Sequence, residues 1–595
     1  MTLAVVTVAI ELNRKAGIVY KGYGRDSRAT LNTSILTQFK IIQVFETSVS
    51  HWLRFAFLNI GAIHDPDSLR LYVKSALVLD GIAVGSIFAI FFYWRWRTYQ
   101  HKLPYPPGPS GLPIIGNLFQ IPKENGHLTF LSWSKKYNSD IIHLSTPGKH
   151  LIVLNSLESA IELLDRRSIN TCDRPKTVMI NKLLDFWWSV GWIGKGARLR
   201  DSRKASQCFN NSEVKKFRGH ETTAVHDLLR KLLSSPDLFA EHIRHMAGRI
   251  ILRLTYGFEV KSEKDHFIKI AERGVYGLSQ VADTGSYLVD LIPILQYIPM
   301  WFPGAQFRKD AARWQSDLRA MKEEPFQLVQ RARNSDPSLE YPVSSDSAAY
   351  SLLDNMMTMA KDKQYMEDVI KSSLGSFYGA GADTTISSLL TFILAMLHHP
   401  EIQEKAQAQI DSVVGQNRLP TFEDRESLPY IEAIVLETLR WHPVVLQNLP
   451  HALVDEEIFN GFYLPGGSIV IANIWAMSRD ERFYPCASEF NPGRFLDHEG
   501  NLNSEVLDPS KFAFGFGRRI CPGRYLAKES VWLSVVTMLS TFHIKPKHDA
   551  HGKPIIPAED YSSVMVSFPT KFVCDIRPRS KAHATLVDSS IDGEN

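Results

Sequence analysis

The chain has 595 residues, 44% hydrophobic and 22% charged, with 67 Lys and Arg against 63 Asp and Glu for a formal charge of +4. That balance excludes a disordered chain and suits several average domains or one large core. The charge is too small to argue for a nucleic-acid partner, and five scattered cysteines, an odd number, fit a reducing compartment rather than a disulfide scaffold.

Residues 1–74 carry nine Lys/Arg against five Asp/Glu, so the positive excess sits there and the remainder is formally neutral. Their one apolar run, TLAVVTVAI, is too short to span a bilayer, and no motif assigns the extension a role. Residues 75–94, SALVLDGIAVGSIFAIFFYW, are 20 in number. At ~1.5 Å per residue they cross roughly 30 Å, the thickness of a hydrocarbon core. Tyr93 and Trp94 followed by Arg95 and Arg97 read as an aromatic belt and then positive charge, which places the C-terminal side in the cytosol. The basic residues upstream pull the other way, and a buried core helix is the alternative. Residues 95–118 include LPYPPGPSGLPIIGNL, whose prolines predict a stiff hinge.

Residues 119–580 then read as one domain. DIIHLSTPGKHLIVLNS predicts two strands joined at Pro147-Gly148, and residues 157–366 read as mostly helical. Arg200, Arg203, Lys204, Lys215, Lys216 and Arg218 make a basic patch, either a solvated face or a docking site for an acidic partner. Residues 291–302, LIPILQYIPMWF, are apolar but broken by prolines. They suit a surface loop dipping into a membrane, or an ordinary buried loop. RNSDPSLEYPVSSDSAAY reads as a flexible connection.

Residues 368–398 predict one long helix of about 46 Å, stopped by Pro400. Gly375, Gly379 and Gly381 fall inside it, each costing ~1 kcal/mol relative to alanine. Such a weak point admits a flat ligand close to the helix, and Asp383-Thr384 could open its hydrogen-bond ladder. A kinked core helix is the alternative. In LPYIEAIVLETLRWHP, Glu437 and Arg440 lie i,i+3 on one face and can pair. The stretch PVVLQNLPHALVDEEIFNGFYLPGGSIVIANIWAM alternates as β structure about a Pro465-Gly466-Gly467 turn. YSSVMVSF, after the last long helix, predicts a hairpin, and residues 581–595 a disordered tail.

The most informative window is Phe514-Gly515-Phe516-Gly517-Arg518-Arg519-Ile520-Cys521-Pro522-Gly523. It sets one cysteine in a glycine-rich turn just before the helical run RYLAKESVWLSVVTMLSTF. Orphan amides at that helix start should lower the thiol pKa and favour the thiolate. A thiolate is a nucleophile, a redox group or a metal ligand. No second cysteine stands at CxxC spacing, which weakens dithiol and zinc readings, and a Cys–His hydrolase needs neither the glycines nor the arginine. Axial ligation of haem iron remains, with a buried structural cysteine as the alternative.

The window matches F-x-x-G-x-R-x-C-x-G through Phe514, Gly517, Arg519, Cys521 and Gly523, and so resembles the haem-binding signature of the cytochrome P-450 family of haem-thiolate monooxygenases. The resemblance covers roughly residues 104–575 and is similar to fungal microsomal members of secondary metabolism and xenobiotic oxidation. It implies a mainly α fold with a smaller β region behind one N-terminal transmembrane helix, in the endoplasmic reticulum membrane with the catalytic domain cytosolic. It implies haem b held by Cys521, with Arg519 and Arg203 on its propionates. Ala380-Gly381-Ala382-Asp383-Thr384 resembles the A-G-x-D-T motif, implying that Thr384 bonds iron-bound oxygen while Asp383 relays protons. Glu437 and Arg440 resemble the buried E-x-x-R pair, joined by Arg494 of Pro492-Gly493-Arg494-Phe495, where glycine replaces the family's glutamate. Residues 444–449 should line the pocket, and His451 could bond a propionate or lie at the surface. Leu199 stands where the family commonly has the tryptophan of W-x-x-x-R, leaving only Arg203.

Neither GAGADT nor GFGRRI completes G-x-G-x-x-G, so electrons should come from a separate NADPH-dependent flavoprotein reductase. The expected activity inserts one atom of dioxygen into an apolar organic substrate. Two rivals are a haem-thiolate isomerase or dehydratase, which would not need Asp383-Thr384, and a non-catalytic haem sensor.

Overall fold

The computed structural model describes residues 103–590, apart from 114, 283–286 and 291, together with Gly81, Gly85, Ser86, Phe88 and Ala89. The chain divides into two units, Met1–Lys102 and Leu103–Asn595. The extension 1–74 and the expected span 75–94 lie outside the described residues, except that the five just named are helical.

Strands β1 (Ile141–Thr146) and β2 (Lys149–Leu154) pair antiparallel with Ile141 opposite Leu154. Gly148 makes their turn at φ 74°, a left-handed conformation that glycine adopts without strain. Two later strands, β3 (His451–Ala452) and β4 (Ile469–Ala472), complete a sheet of order β1-β2-β4-β3. The prolines expected as a spacer are docked on this sheet and on a separate two-stranded hairpin, Glu457–Phe459 with Phe462–Leu464. His143 N–H donates to Pro107 O at 3.0 Å, and Tyr463 N–H to Pro104 O at 2.8 Å. The described part of the hinge is thus a strap on the larger unit, because proline carbonyls accept even where proline nitrogens cannot donate.

Helices α1 (Ala197–Ala205), α2 (Arg218–Ser234), α3 (Phe239–Tyr256), α4 (His266–Ser279) and α5 (Gln306–Arg333) precede the long α6 (Lys363–His398). Then come α7 (Pro400–Val413), α8 (Pro429–Trp441), α9 (Arg524–Thr541) and α10 (Lys581–Ser589). The protein is therefore mainly helical with small sheets. Helix α6 starts five residues before the expected position because the Asp362 side chain caps it, accepting from Tyr365 N–H at 3.0 Å. Pro400 opens the next helix at its first position, where a missing N–H is harmless. Apolar on nearly every side, α6 is long enough to cross a membrane, but 72% of its most apolar window is buried among its neighbours. It packs against α3, α5 and α9, which makes it the axis of the core.

Two further expectations change and one alternative is decided. Residues 581–589 of the expected tail form α10, capped by Ser580 and holding His583 and Val587 in the interior, while 591–595 lie outside the described residues. The Ser/Pro-rich connection is pinned where Tyr341 donates to Asp265 at 3.1 Å, and its last residues, from Ala348, begin a helix. Residues 292–302 lie at the surface rather than in a buried loop: Ile294, Tyr297 and Trp301 are 70%, 74% and 80% exposed.

Candidate active site

The cysteine loop is built from local hydrogen bonds. Gly515 N–H donates to Phe512 O at 3.0 Å, and Cys521 N–H donates to Phe514 O at 2.8 Å, closing the loop just before α9. Gly517, at φ 51°, lies so close to Leu164 O that a Cβ there would collide with it. A Cβ at Gly523 would stand 4.0 Å from the Cys521 sulfur. The backbone N–H groups of Gly523 and Arg524 point at that sulfur, and the charges of Arg203 and Arg524 favour its anion. The expected lowering of the thiol pKa is nevertheless reversed. Burial pushes Cys521 above the ordinary cysteine value, because loss of hydration outweighs the amides and the two guanidinium groups.

The donor set fits haem. Among the described residues no cluster of three or more His, Cys, Asp or Glu side chains could hold an ion, so a lone sulfur suits a metal that brings its other ligands with it. Positive charge gathers nearby. Arg519 donates to Cys172 O at 2.7 Å, Val190 O at 3.3 Å and Ile193 O at 2.5 Å. Arg174 donates to Gly191 O, Leu449 O and Pro450 O at 2.7, 2.7 and 2.6 Å. Burial pushes Arg519 down to about 10, and burial together with Arg519 depresses Arg174 as well. Two buried guanidinium groups repelling each other match a ligand that carries carboxylates. Arg203 donates to Ile520 O at 2.8 Å, while Leu199 is buried and its side chain has no N–H to offer. His451 is interior rather than superficial, bonded to Thr171 O at 2.8 Å, and burial holds its imidazole neutral.

On α6 the glycines serve a different purpose from the one expected. A Cβ at Gly381 would meet Ile251 of α3 at 2.7 Å, at Gly379 Met321 of α5 at 2.9 Å, and at Gly375 Lys322 of α5 at 3.1 Å. They admit neighbouring helices rather than a flat ligand. Nor does the ladder open: α6 is α-helical throughout, and Thr384 Oγ1 donates to Ala380 O at 2.9 Å. Asp383, a residue earlier and so ~100° around the helix, accepts from Arg244 of α3 at 3.0 Å. Burial raises Asp383 to about 6 against the pull of Arg244, with Glu272 adding to the rise.

On α8, Glu437 and Arg440 are fully buried and joined by two bonds of 2.6 and 2.7 Å. Arg494 reaches Glu437 at 3.2 Å. Glycine in place of glutamate at 493 leaves this triad intact, since Arg494 instead donates to Pro485 O at 2.7 Å. Sequence reasoning missed Arg174, Arg244 and Arg524. Only Arg524, three residues past Cys521, had a local signal.

A helical core with the Cys521 thiol in a glycine-rich loop at the start of α9 and, among the described residues, no cluster of side chains that could hold a bare ion fits a haem-thiolate class of protein. The comparisons make this specific. The family profile for cytochrome P450 matches residues 106–573. Cytochrome P450 monooxygenase 98 of Postia placenta is 36% identical over 527 residues, covering 88% of this chain and 99% of that protein. Cytochrome P450 monooxygenase ple1 of Rhodocybe pseudopiperita is 38% identical over 490 residues, 82% of this chain and 92% of its own. Tryptamine 4-monooxygenase of Psilocybe cyanescens is 34% identical over 504 residues, 84% and 98%. The chain belongs to the cytochrome P450 family. It is an oxidoreductase of the monooxygenase type, and the family implies a haem cofactor.

Proposed function

We propose that this protein inserts one oxygen atom of dioxygen into an apolar organic substrate and reduces the other to water, on the cytosolic face of the endoplasmic reticulum. The observation that carries the reading is the Cys521 loop, a single thiol fixed by backbone bonds under two converging arginines. Bound haem would supply the oxygen-activating chemistry, its reactivity raised by electron density from the thiolate. Cys521 would ligate it, held by the turn of Phe514, Gly517 and Gly523. Arg519, Arg203 and the previously unassigned Arg174 would bind its carboxylates. Thr384 would present a hydroxyl to the oxygen side, and Asp383, held near neutrality and latched to Arg244, would exchange protons with that pocket. Glu437, Arg440 and Arg494 would keep the loop in place without touching reactants.

Electrons would arrive from an NADPH-dependent flavoprotein reductase. The basic patch supports this in reduced form: Arg200, Lys204, Lys215 and Lys216 are exposed, whereas Arg218 turns inward to Glu529 at 2.7 Å and Arg203 to Ile520. Residues 75–94 would anchor the chain, and the exposed Ile294, Tyr297 and Trp301 would contact lipid. The test is the carbon monoxide difference spectrum of the reduced protein. A thiolate-type Soret band is expected in the wild type and lost in Cys521→Ala; its absence from the wild type, or survival in the variant, refutes the assignment.

A further inference from the structure

Helix α9, which leads out of the cysteine loop, packs along α2, and their contact holds a carboxyl that the proposed reaction does not use. Glu221, in the first turn of α2, is fully buried. Its Oε2 lies 2.7 Å from Ser530 Oγ of α9, and its Oε1 has no partner among the described residues.

The cations near Glu221 are engaged elsewhere. Arg218, also on α2, is forked onto Glu529 of α9 at 3.0 and 2.7 Å. Arg425, on the short helix Phe422–Ser427, is forked onto Glu432 of α8 at 2.9 and 3.0 Å. Each guanidinium is also stacked on an aromatic ring, Arg218 on Phe422 at 4.5 Å and Arg425 on Trp532 at 5.3 Å, so neither turns freely toward Glu221. Glu423, on the same short helix, draws further on Arg218. Glu529, itself 6% exposed, opposes a second negative charge beside it. Burial, helped by Glu529, raises Glu221 from its ordinary value of 4.5 to about 8, against the pull of Ser530, Arg218 and Arg425. An ionised carboxylate without a cation of its own is costly in an interior, so the closed contact keeps its proton.

We infer that the contact between α2 and α9 is a pH-sensitive joint: the proton on Glu221 holds it shut, and loss of that proton to solvent opens it and loosens the cysteine loop at the head of α9. In the open joint the carboxyl is hydrated and titrates near its ordinary value, whereas in the closed joint it titrates near 8. Opening therefore releases one proton between those limits. The open fraction is smallest in acid, rises about tenfold per pH unit up to about pH 8, and then levels off.

Hydrogen exchange read by mass spectrometry tests the joint, with the full-length haem-loaded protein in detergent at pH 6, 7, 8 and 9. After correction for base-catalysed exchange, opening constants for peptides within 218–234 and 524–541 should rise about tenfold per unit up to pH 8, and the peptide 514–523 should follow them. In Glu221→Gln, which keeps the size of the side chain and cannot ionise, all three should stay level. Ser530→Ala removes the one hydrogen bond that favours the anion, so its levelling off should move above pH 8; it carries the test should the first variant fail to fold. Level opening constants in the wild type overturn the inference, as does a tenfold rise retained by Glu221→Gln or a levelling off unmoved by Ser530→Ala. A loop that stays protected while α2 and α9 open overturns the link to Cys521. Exchange reports the backbone alone, so the outcome does not depend on the proposed oxygen chemistry.

Discussion

Arg440→Lys separates geometry from charge in the buried Glu437–Arg440–Arg494 cluster, proposed to support the Cys521 loop. Arg440 has five N–H donors, and all five are used: two to Glu437, and three to Ser478 O, Ala487 O and Glu489 O at 2.9, 2.7 and 2.9 Å. Lysine keeps the positive charge but has only three donors on one tetrahedral nitrogen. At least two bonds must be lost, each a charge-assisted contact worth about 1–3 kcal/mol, although Ala487 O and Glu489 O keep Arg479 and Arg494 as donors. The expected loss is about 2–6 kcal/mol, a large part of the 5–15 kcal/mol that holds a typical domain together. Urea unfolding followed by circular dichroism measures it, and the fraction of reduced protein showing the thiolate Soret band reports whether the cysteine loop is disturbed. A variant that unfolds at the wild-type urea midpoint with unchanged slope would show that charge alone, not the five-donor fork, supports the loop.

Replacing Asp383 with Asn should flatten a pH dependence. Burial raises this carboxyl from its ordinary value of 3.8 to about 6 in the fold. Its protonated form therefore favours the native state, and that contribution, complete below pH 4, is lost as pH rises through 6. Thermal midpoints of the wild type should carry this downward component between pH 4 and 6, and midpoints of Asp383→Asn should lack it; equal slopes contradict the assignment. Gly381→Ala should destabilise despite alanine's better helix propensity of ~1 kcal/mol, because its Cβ would stand 2.7 Å from Ile251. Overpacking of this kind costs about 1–3 kcal/mol, so a rise in melting temperature would mean that α3 and α6 separate freely.

Features confined to a short stretch of chain were legible in the sequence. The β1–β2 hairpin announced itself through alternation and Pro147-Gly148, and the Glu437–Arg440 pair through i,i+3 spacing. The cysteine loop did so through ten consecutive residues whose order fixes its backbone turns. Where contiguity failed, so did the reading. Residues 581–589 looked like a polar tail because their anchors, His583 and Val587, acquire meaning only against the core. The glycines of α6 were assigned to a ligand because the sequence does not say which helix lies alongside.

The chain order alone determined a mainly helical protein organised around one thiol, because helix periodicity and turn glycines act over a few residues. Tertiary structure decided the electrostatics. Arg244 meets Asp383 across 139 positions, and Arg174 reaches Leu449 across 275. The sign of the Cys521 shift likewise depends on how completely packing removes water from the sulfur. Burial is a property of the assembled interior, summed over segments far apart in the chain, and desolvation of a charge follows from that sum rather than from its neighbours in sequence.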